Sequence, residues 1–100
     1  MADKKLFYQL SAKADYDLEE IFDYTEKEFG FEQAVFYVSS IVEAIENIPL
    51  NPKIGRERNE IKKELHSILH VKHIIFYRIL TDRVRIVRIL HGSRDLPRYF

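Results

Sequence analysis

The sequence has no cysteine, only three glycines and three prolines in 100 residues, and no apolar run near membrane-spanning length. Without cysteine there is no disulfide framework, no Cys-type structural zinc site and no thiol nucleophile, a composition that suits a reducing compartment. The scarcity of glycine and proline, with no repeat or low-complexity tract, excludes a collagen-like or disordered polymer. Ahead of polar Gln9 the amino-terminal stretch offers only Leu6-Phe7-Tyr8. Neither a signal peptide nor a span of roughly 20 apolar residues is therefore expected, and the expected location is the cytoplasm with no membrane partner.

What is present is an ordinary globular balance of 46% hydrophobic and 32% charged residues, enough for one core of two packed layers and one domain over residues 1–100. The formal net charge of zero hides a strong polarity along the chain. Residues 1–50 carry four lysines against eleven carboxylates, and residues 51–100 carry twelve cations against five carboxylates. Such a division either neutralises itself within the fold or presents a basic surface to an acidic partner.

Leu6 to Leu10 reads as a short strand, and Ser11 as the N-cap of a helix. From Lys13 to Phe29 the positions Leu18, Ile21, Phe22, Thr25 and Phe29 form an apolar stripe, with Asp15, Asp17, Glu19, Asp23 and Glu26 on the other faces. Asp15 and Asp17 suit the positive end of the helix dipole, and Gly30 suits its C-terminal exit. A second stripe of Ala34, Val38, Ile41, Ile45 and Ile48, widened by Val35 and Val42, predicts a second helix that ends before Pro49 and Pro52. The short link around Gly30 predicts an antiparallel helical hairpin. Asn51 to Glu64 reads as a crossing loop with room for one helical turn, and Leu65–His70, His73–Leu80 and Arg83–His91 read as three strands, the last two joined through Thr81-Asp82. The expected fold is α+β, two layers, in the order β-α-α-β-β-β, with the hairpin packed on an antiparallel sheet.

This order of elements carries Leu18-Glu19-Glu20-Ile21-Phe22-Asp23-Tyr24, Phe29-Gly30 before Gln33-Ala34, and Asn51-Pro52-Lys53-Ile54-Gly55-Arg56. It continues through His73-Ile74-Ile75-Phe76-Tyr77-Arg78-Ile79 and Val87-Arg88-Ile89-Leu90-His91-Gly92-Ser93-Arg94-Asp95. Over nearly the whole chain it closely resembles the ParE branch of the RelE/ParE toxins. The resemblance implies a toxin of a type II toxin-antitoxin module that is neutralised by a cognate antitoxin and poisons DNA gyrase without catalytic turnover or a cofactor. The related RelE branch instead cleaves messenger RNA on the ribosome, and a non-toxic interaction domain of the same fold is a further alternative.

Cleavage by a 2′-hydroxyl needs a base, an acid and cations around one phosphate. Aligned through Phe76-Tyr77-Arg78, the third-strand arginine of the nuclease branch falls at Ile74, while Arg94 matches its later arginine. Its terminal tyrosine falls at Phe100, one residue from Tyr99, and Lys62 and Lys63 are the available lysines. The constellation is incomplete, so no catalytic residue is assigned. His66 and His70 would lie roughly 13 Å apart on a strand, too far for one ion; only His70 and His73 could meet, and no metal site is assigned. His91, Ser93 and Asp95 have the residue types of a triad without its geometry.

The remaining candidates are contact residues. Arg85, His91, Arg94, Arg98 and Tyr99 are expected to face the target; Tyr16, Tyr24, Phe36, Tyr37, Arg83 and Arg88 are expected to face the antitoxin, which would use an exposed sheet edge and the helical groove. The aromatic members equally fit half-buried helix positions, and Arg88 equally fits an internal pair with Glu20 or Asp23. Regular alternation would set Arg83 and Arg85 on one face of the sheet and Arg88 on the other unless a bulge intervenes. The acidic first half disfavours sequence-specific nucleic-acid binding.

Overall fold

A computed structural model describes residues 6–94 and 96–100. The expectations for the first five residues and the aspartate at 95 lie outside the described residues. Strand β1 (Phe7–Leu10) leads into helix α1 (Ala12–Phe29), which turns at Gly30 into α2 (Phe31–Asn47). Two 3-10 turns, Ile48–Leu50 and Pro52–Ile54, precede the two-residue strand β2 (Arg56–Glu57). Strands β3 (His66–His70), β4 (His73–Ile79) and β5 (Arg83–His91) follow, and a 3-10 turn, Leu96–Tyr99, ends the fold.

The local signals act as their chemistry requires. The Ser11 hydroxyl accepts from the Ala14 amide at 3.0 Å and donates to the Val87 carbonyl at 2.8 Å. The cap of α1 is thus also a tie to β5. Gly30 sits at φ +96°, accessible to glycine without a Cβ penalty, and its N–H closes α1 on the Glu26 carbonyl at 2.9 Å. Gly55 is constrained differently. A Cβ there would collide with the Tyr77 ring and hydroxyl. The buried Tyr77 phenol accepts from the Gly55 amide and donates to the Pro52 carbonyl, each at 2.8 Å. One core side chain therefore pins the start of the crossing segment.

The sheet has the order β1-β5-β4-β3-β2. The three long strands form the expected antiparallel meander, but β1 joins β5 in parallel register, Phe7 beside Arg83 through Leu10 beside Ile86, so the sheet is mixed. The helical hairpin returns the chain without reversing the direction that β1 presents to the last strand, which composition does not reveal. The second departure is β2, which pairs Arg56 with Ser67 and Glu57 with His66 inside the segment read as a loop. Phe29 also departs: although it falls on the apolar stripe of α1, it is 67% exposed at the last position of that helix.

Both faces of the sheet bury apolar residues. Ile75, Tyr77, Val84, Ile86 and Ile89 meet the helices through Leu18, Ile21, Ile41 and Ile45. On the opposite face Phe76 and Leu90 form a second cluster with Leu65, and the C-terminal Leu96, Tyr99 and Phe100 cover it.

A bulge then decides where the arginines point. Phe76 pairs with Arg88 and Tyr77 with Ile86, so Val87 is skipped. Because Arg85 is opposite Arg78 and Arg88 is opposite Phe76, the arginines at 83, 85 and 88 share the face away from the helices. The alternation of a regular strand, which would oppose Arg88 to the other two, does not hold.

Candidate functional site

Asp17 lies one helical turn from Ala14 and Ile21, on the stripe of α1 that packs inward, and is 4% exposed. Its carboxylate takes Arg88 Nε at 2.8 Å, a second guanidinium N–H of Arg88 at 2.9 Å and the backbone N–H of Ile89 at 2.9 Å. This fork-on-carboxylate pair, completed by an amide, satisfies a buried charge and holds Arg88 protonated, its pKa raised chiefly by the Asp17 hydrogen bonds. The partner of Arg88 is therefore Asp17 rather than Glu20 or Asp23. Asp17 belonged by spacing to the series 14, 17, 18, 21, and that spacing was the signal of its burial.

From Arg88 the network continues outward. Its guanidinium carbon lies 5.4 Å from the Tyr99 ring centroid, and that of Arg94 lies 5.6 Å from it. Arg94 also donates to the Tyr99 hydroxyl at 2.9 Å, which raises the arginine pKa. Two cations thus hold one aromatic ring, and the C-terminal turn is fixed against the body with Arg94 at its rim. Phe100 packs edge-on to Phe76 at 4.9 Å.

This arrangement walls one side of a cleft of about 330 Å³. Glu20 and Tyr24 line it from α1; His73, His91 and Ser93 line it from the sheet end. Burial holds the His73 pKa down to about 4, so the ring is neutral near pH 7, and its Nδ1 is 2.7 Å from the Tyr37 hydroxyl. His91 Nδ1 receives the Ser93 amide at 3.1 Å; since an amide only donates, the neutral ring carries its proton on Nε2. The Ser93 hydroxyl lies 2.7 Å from the same Nδ1. Ser93 is thus spent on orienting His91. His70 and His73 do pair across the β3–β4 turn, but His70 Nε2 lies 2.9 Å from the Ser40 hydroxyl.

The other candidates divide between two surfaces. Tyr16, Tyr24 and Phe36 stand exposed on the helical layer, joined beside the turn glycine by Phe29, which the apolar stripe placed on the packed face, and by Phe31, which it did not include. Tyr37 is half-buried against the core. Arg83 and Arg85 lie on the open face of the sheet, where both donate to Gln9 Oε1, at 2.8 and 3.2 Å. Arg98 is exposed in the C-terminal turn. Of the nuclease-type positions, Ile74 packs in the second apolar cluster, and Lys62 and Lys63 are exposed in the loop before β3. The fold does not bring those lysines to the cleft that Arg94 borders.

Residues 8–96 match the family model of the ParE toxin of type II toxin-antitoxin systems. The chain is 36% identical over 92 residues to Toxin ParE1 of Mycobacterium tuberculosis, covering 91% of this chain and 94% of that protein. It is 35% identical over 88 residues to Toxin ParE1 of Caulobacter vibrioides, covering 88% and 91%. Among solved structures, the chromosomal ParDE system of P. aeruginosa superposes with a TM-score of 0.79 at 22% identity, covering 89% of this chain and 98% of that one. The RelBE2 toxin-antitoxin complex of M. tuberculosis superposes at 0.63 and 18% identity, covering 87% and 98%. The fold of the solved neighbours, the family model and the curated relatives agree, and the chain belongs to the ParE toxin family of type II toxin-antitoxin systems.

Proposed function

We propose that this ParE-type toxin acts in the cytoplasm as a binding inhibitor of DNA gyrase, without turnover, and is neutralised by a cognate antitoxin. The observation that carries the reading is the arrangement around Tyr99. Arg94 and Arg88 are committed to one aromatic ring and one carboxylate, and Ile74 fills the place of a phosphate-binding arginine. Among the described residues the cations of that surface are already engaged by Asp17 and Tyr99, which supports a contact surface over the free cations around one phosphate that RNA cleavage needs. In this reading Arg94, Arg98, Tyr99, His91 and Arg85 meet the target. The antitoxin meets the exposed aromatics Tyr16, Tyr24 and Phe36 on the hairpin and reaches Tyr37, Arg83 and Arg88 along the cleft and sheet. A toxin-antitoxin complex among the fold neighbours supports an antitoxin partner.

The test is a gyrase supercoiling and cleavage assay run beside ribosome-dependent messenger RNA cleavage on one preparation. Blocked supercoiling with trapped cleaved DNA and intact RNA is the expected result. Cut RNA with normal gyrase activity would overturn it in favour of the nuclease branch. Arg94→Ala with Arg98→Ala is expected to abolish growth inhibition while leaving the circular dichroism spectrum and melting temperature near wild type; retained toxicity would remove these residues from the target surface.

A further inference from the structure

On the open face of the sheet, away from the cleft and the C-terminal turn, Arg78 of β4 stands directly opposite Arg85 of β5. Like charges on directly opposed residues of one face repel and destabilise a sheet, so the pair needs a counter-charge. The chain supplies little. Among the described residues Arg78 reaches Glu64, at 3.5 Å, and that carboxylate is 69% exposed. Arg78 Nε is buried with no hydrogen-bond partner among the described residues. The Arg85 guanidinium donates to Gln9 Oε1, a neutral acceptor that it shares with Arg83. Arg83 is itself paired with Asp82 at 2.7 Å. Gln9 therefore aligns Arg83 and Arg85 without discharging either, and among the described residues Arg83 has the closer carboxylate, at 2.7 Å against 3.5 Å for Arg78.

We propose that Arg78 and Arg85, set opposite one another by the β4–β5 register and with Arg85 held by Gln9, form a phosphate-binding site on the open face of the sheet. Each guanidinium presents a planar fork of donors, and a dianionic tetrahedral phosphate has enough oxygens and charge to engage both forks at once. A carboxylate has two oxygens and one charge, enough for one fork. The site takes a dianionic phosphate group, whether as inorganic phosphate or as the 5′-phosphate of a nucleotide. Gln9 is a positioning residue. Glu64 and Asp82 compete with the ligand and weaken its binding.

The experiment follows the arginine Nε–Hε resonances and melting temperature of the full chain. Inorganic phosphate and AMP are titrated separately at pH ~8, where both are mainly dianionic, against sodium chloride and sodium acetate at matched ionic strength. The expected result is saturable movement of the Arg78 and Arg85 resonances with phosphate, AMP or both, and not with chloride or acetate. A response to AMP alone identifies the nucleotide as the source; a response to both identifies the phosphate group itself. Arg85→Met is expected to weaken binding about tenfold or more. Glu64→Gln is expected to tighten binding by freeing Arg78, the opposite of what a purely structural role for the ion pair would give. Resonances that stay still in wild-type protein, or move equally with acetate or chloride, would overturn the site whatever the variants do.

Discussion

The two faces of the sheet are made by alternate residues of the same strands, yet they have different tasks. On β4, Ile75 and Tyr77 face the helices and are fully buried, whereas Ile74, Phe76 and Arg78 face away. The helix side is one continuous apolar layer. The open side is divided: half is a small apolar cluster under the C-terminal turn, and half is a bare row of arginines. Core packing is thus continuous on one side and confined to part of the other. The joint between them is Asp17, which reaches from a helix to an arginine of the open face.

Breaking that joint should have the largest effect. Asp17→Ala leaves Arg88 partly buried without its counter-charge and frees the Ile89 amide, a loss of about 3–5 kcal/mol in urea unfolding. Next, the two apolar layers can be weighed against each other. Ile45→Ala on the helix side is expected to cost about 2–5 kcal/mol, and Phe76→Ala on the open side about 3–5 kcal/mol. Both residues are essentially inaccessible, and a much smaller loss for Phe76 would mean that the C-terminal cover contributes no real core.

Tyr77→Phe keeps the ring and removes one hydroxyl. It orphans the Gly55 amide and the Pro52 carbonyl, with an expected cost of about 1–3 kcal/mol and faster amide exchange at Gly55. A further effect is on acidification. The His73 pKa of about 4 in the fold lies below its ordinary value of 6.5, so between these limits the unfolded chain binds more protons than the folded one. Stability should be flat above about pH 6.5 and fall as the pH drops toward 4, and His73→Gln should flatten part of that slope in pH-dependent urea titrations.

Much of this architecture could be read along the chain because its signals are local. The Ser11 cap, the stripes of both helices, the exit at Gly30 and the three long strands depend on spacing within one element, and they fall within a residue or two of expectation. What escaped is set by partners distant in sequence. The parallel seat of β1 depends on Arg83 to Ile86, more than seventy residues away. The pairing of β2 needs the edge of β3, which no charged loop announces. The bulge at Val87 leaves no mark in a run of alternating Arg, Val and Ile, yet it turns Arg88 to the open face and so decides which arginines act together. Asp17 looked like part of an acidic exterior. Its spacing placed it inside, but only the arrival of Arg88 makes a buried carboxylate tolerable there. The arginines at 83, 85, 94 and 98 were visible as a basic group, while Arg78 and Gln9 became significant only through cross-strand register.

The contacts of Ser11 and Asp17 with β5 have a further meaning for the protein in a crowded solution. β1 is short and leaves the outer rim of β5 beyond Ile86 without a neighbouring strand. Along that rim the Val87 carbonyl receives the Ser11 hydroxyl and the Ile89 amide is taken by the Asp17 carboxylate. Side chains of a helix thereby satisfy the groups that a foreign strand would need to extend the sheet. This seals an aggregation-prone border that would otherwise invite chain-to-chain stacking. The rim of β3 beyond β2 carries the exposed Leu69, and Val71 follows in the turn. If a concentrated preparation of this toxin clumps, growth should begin at β3, and a lysine at Leu69 should slow it.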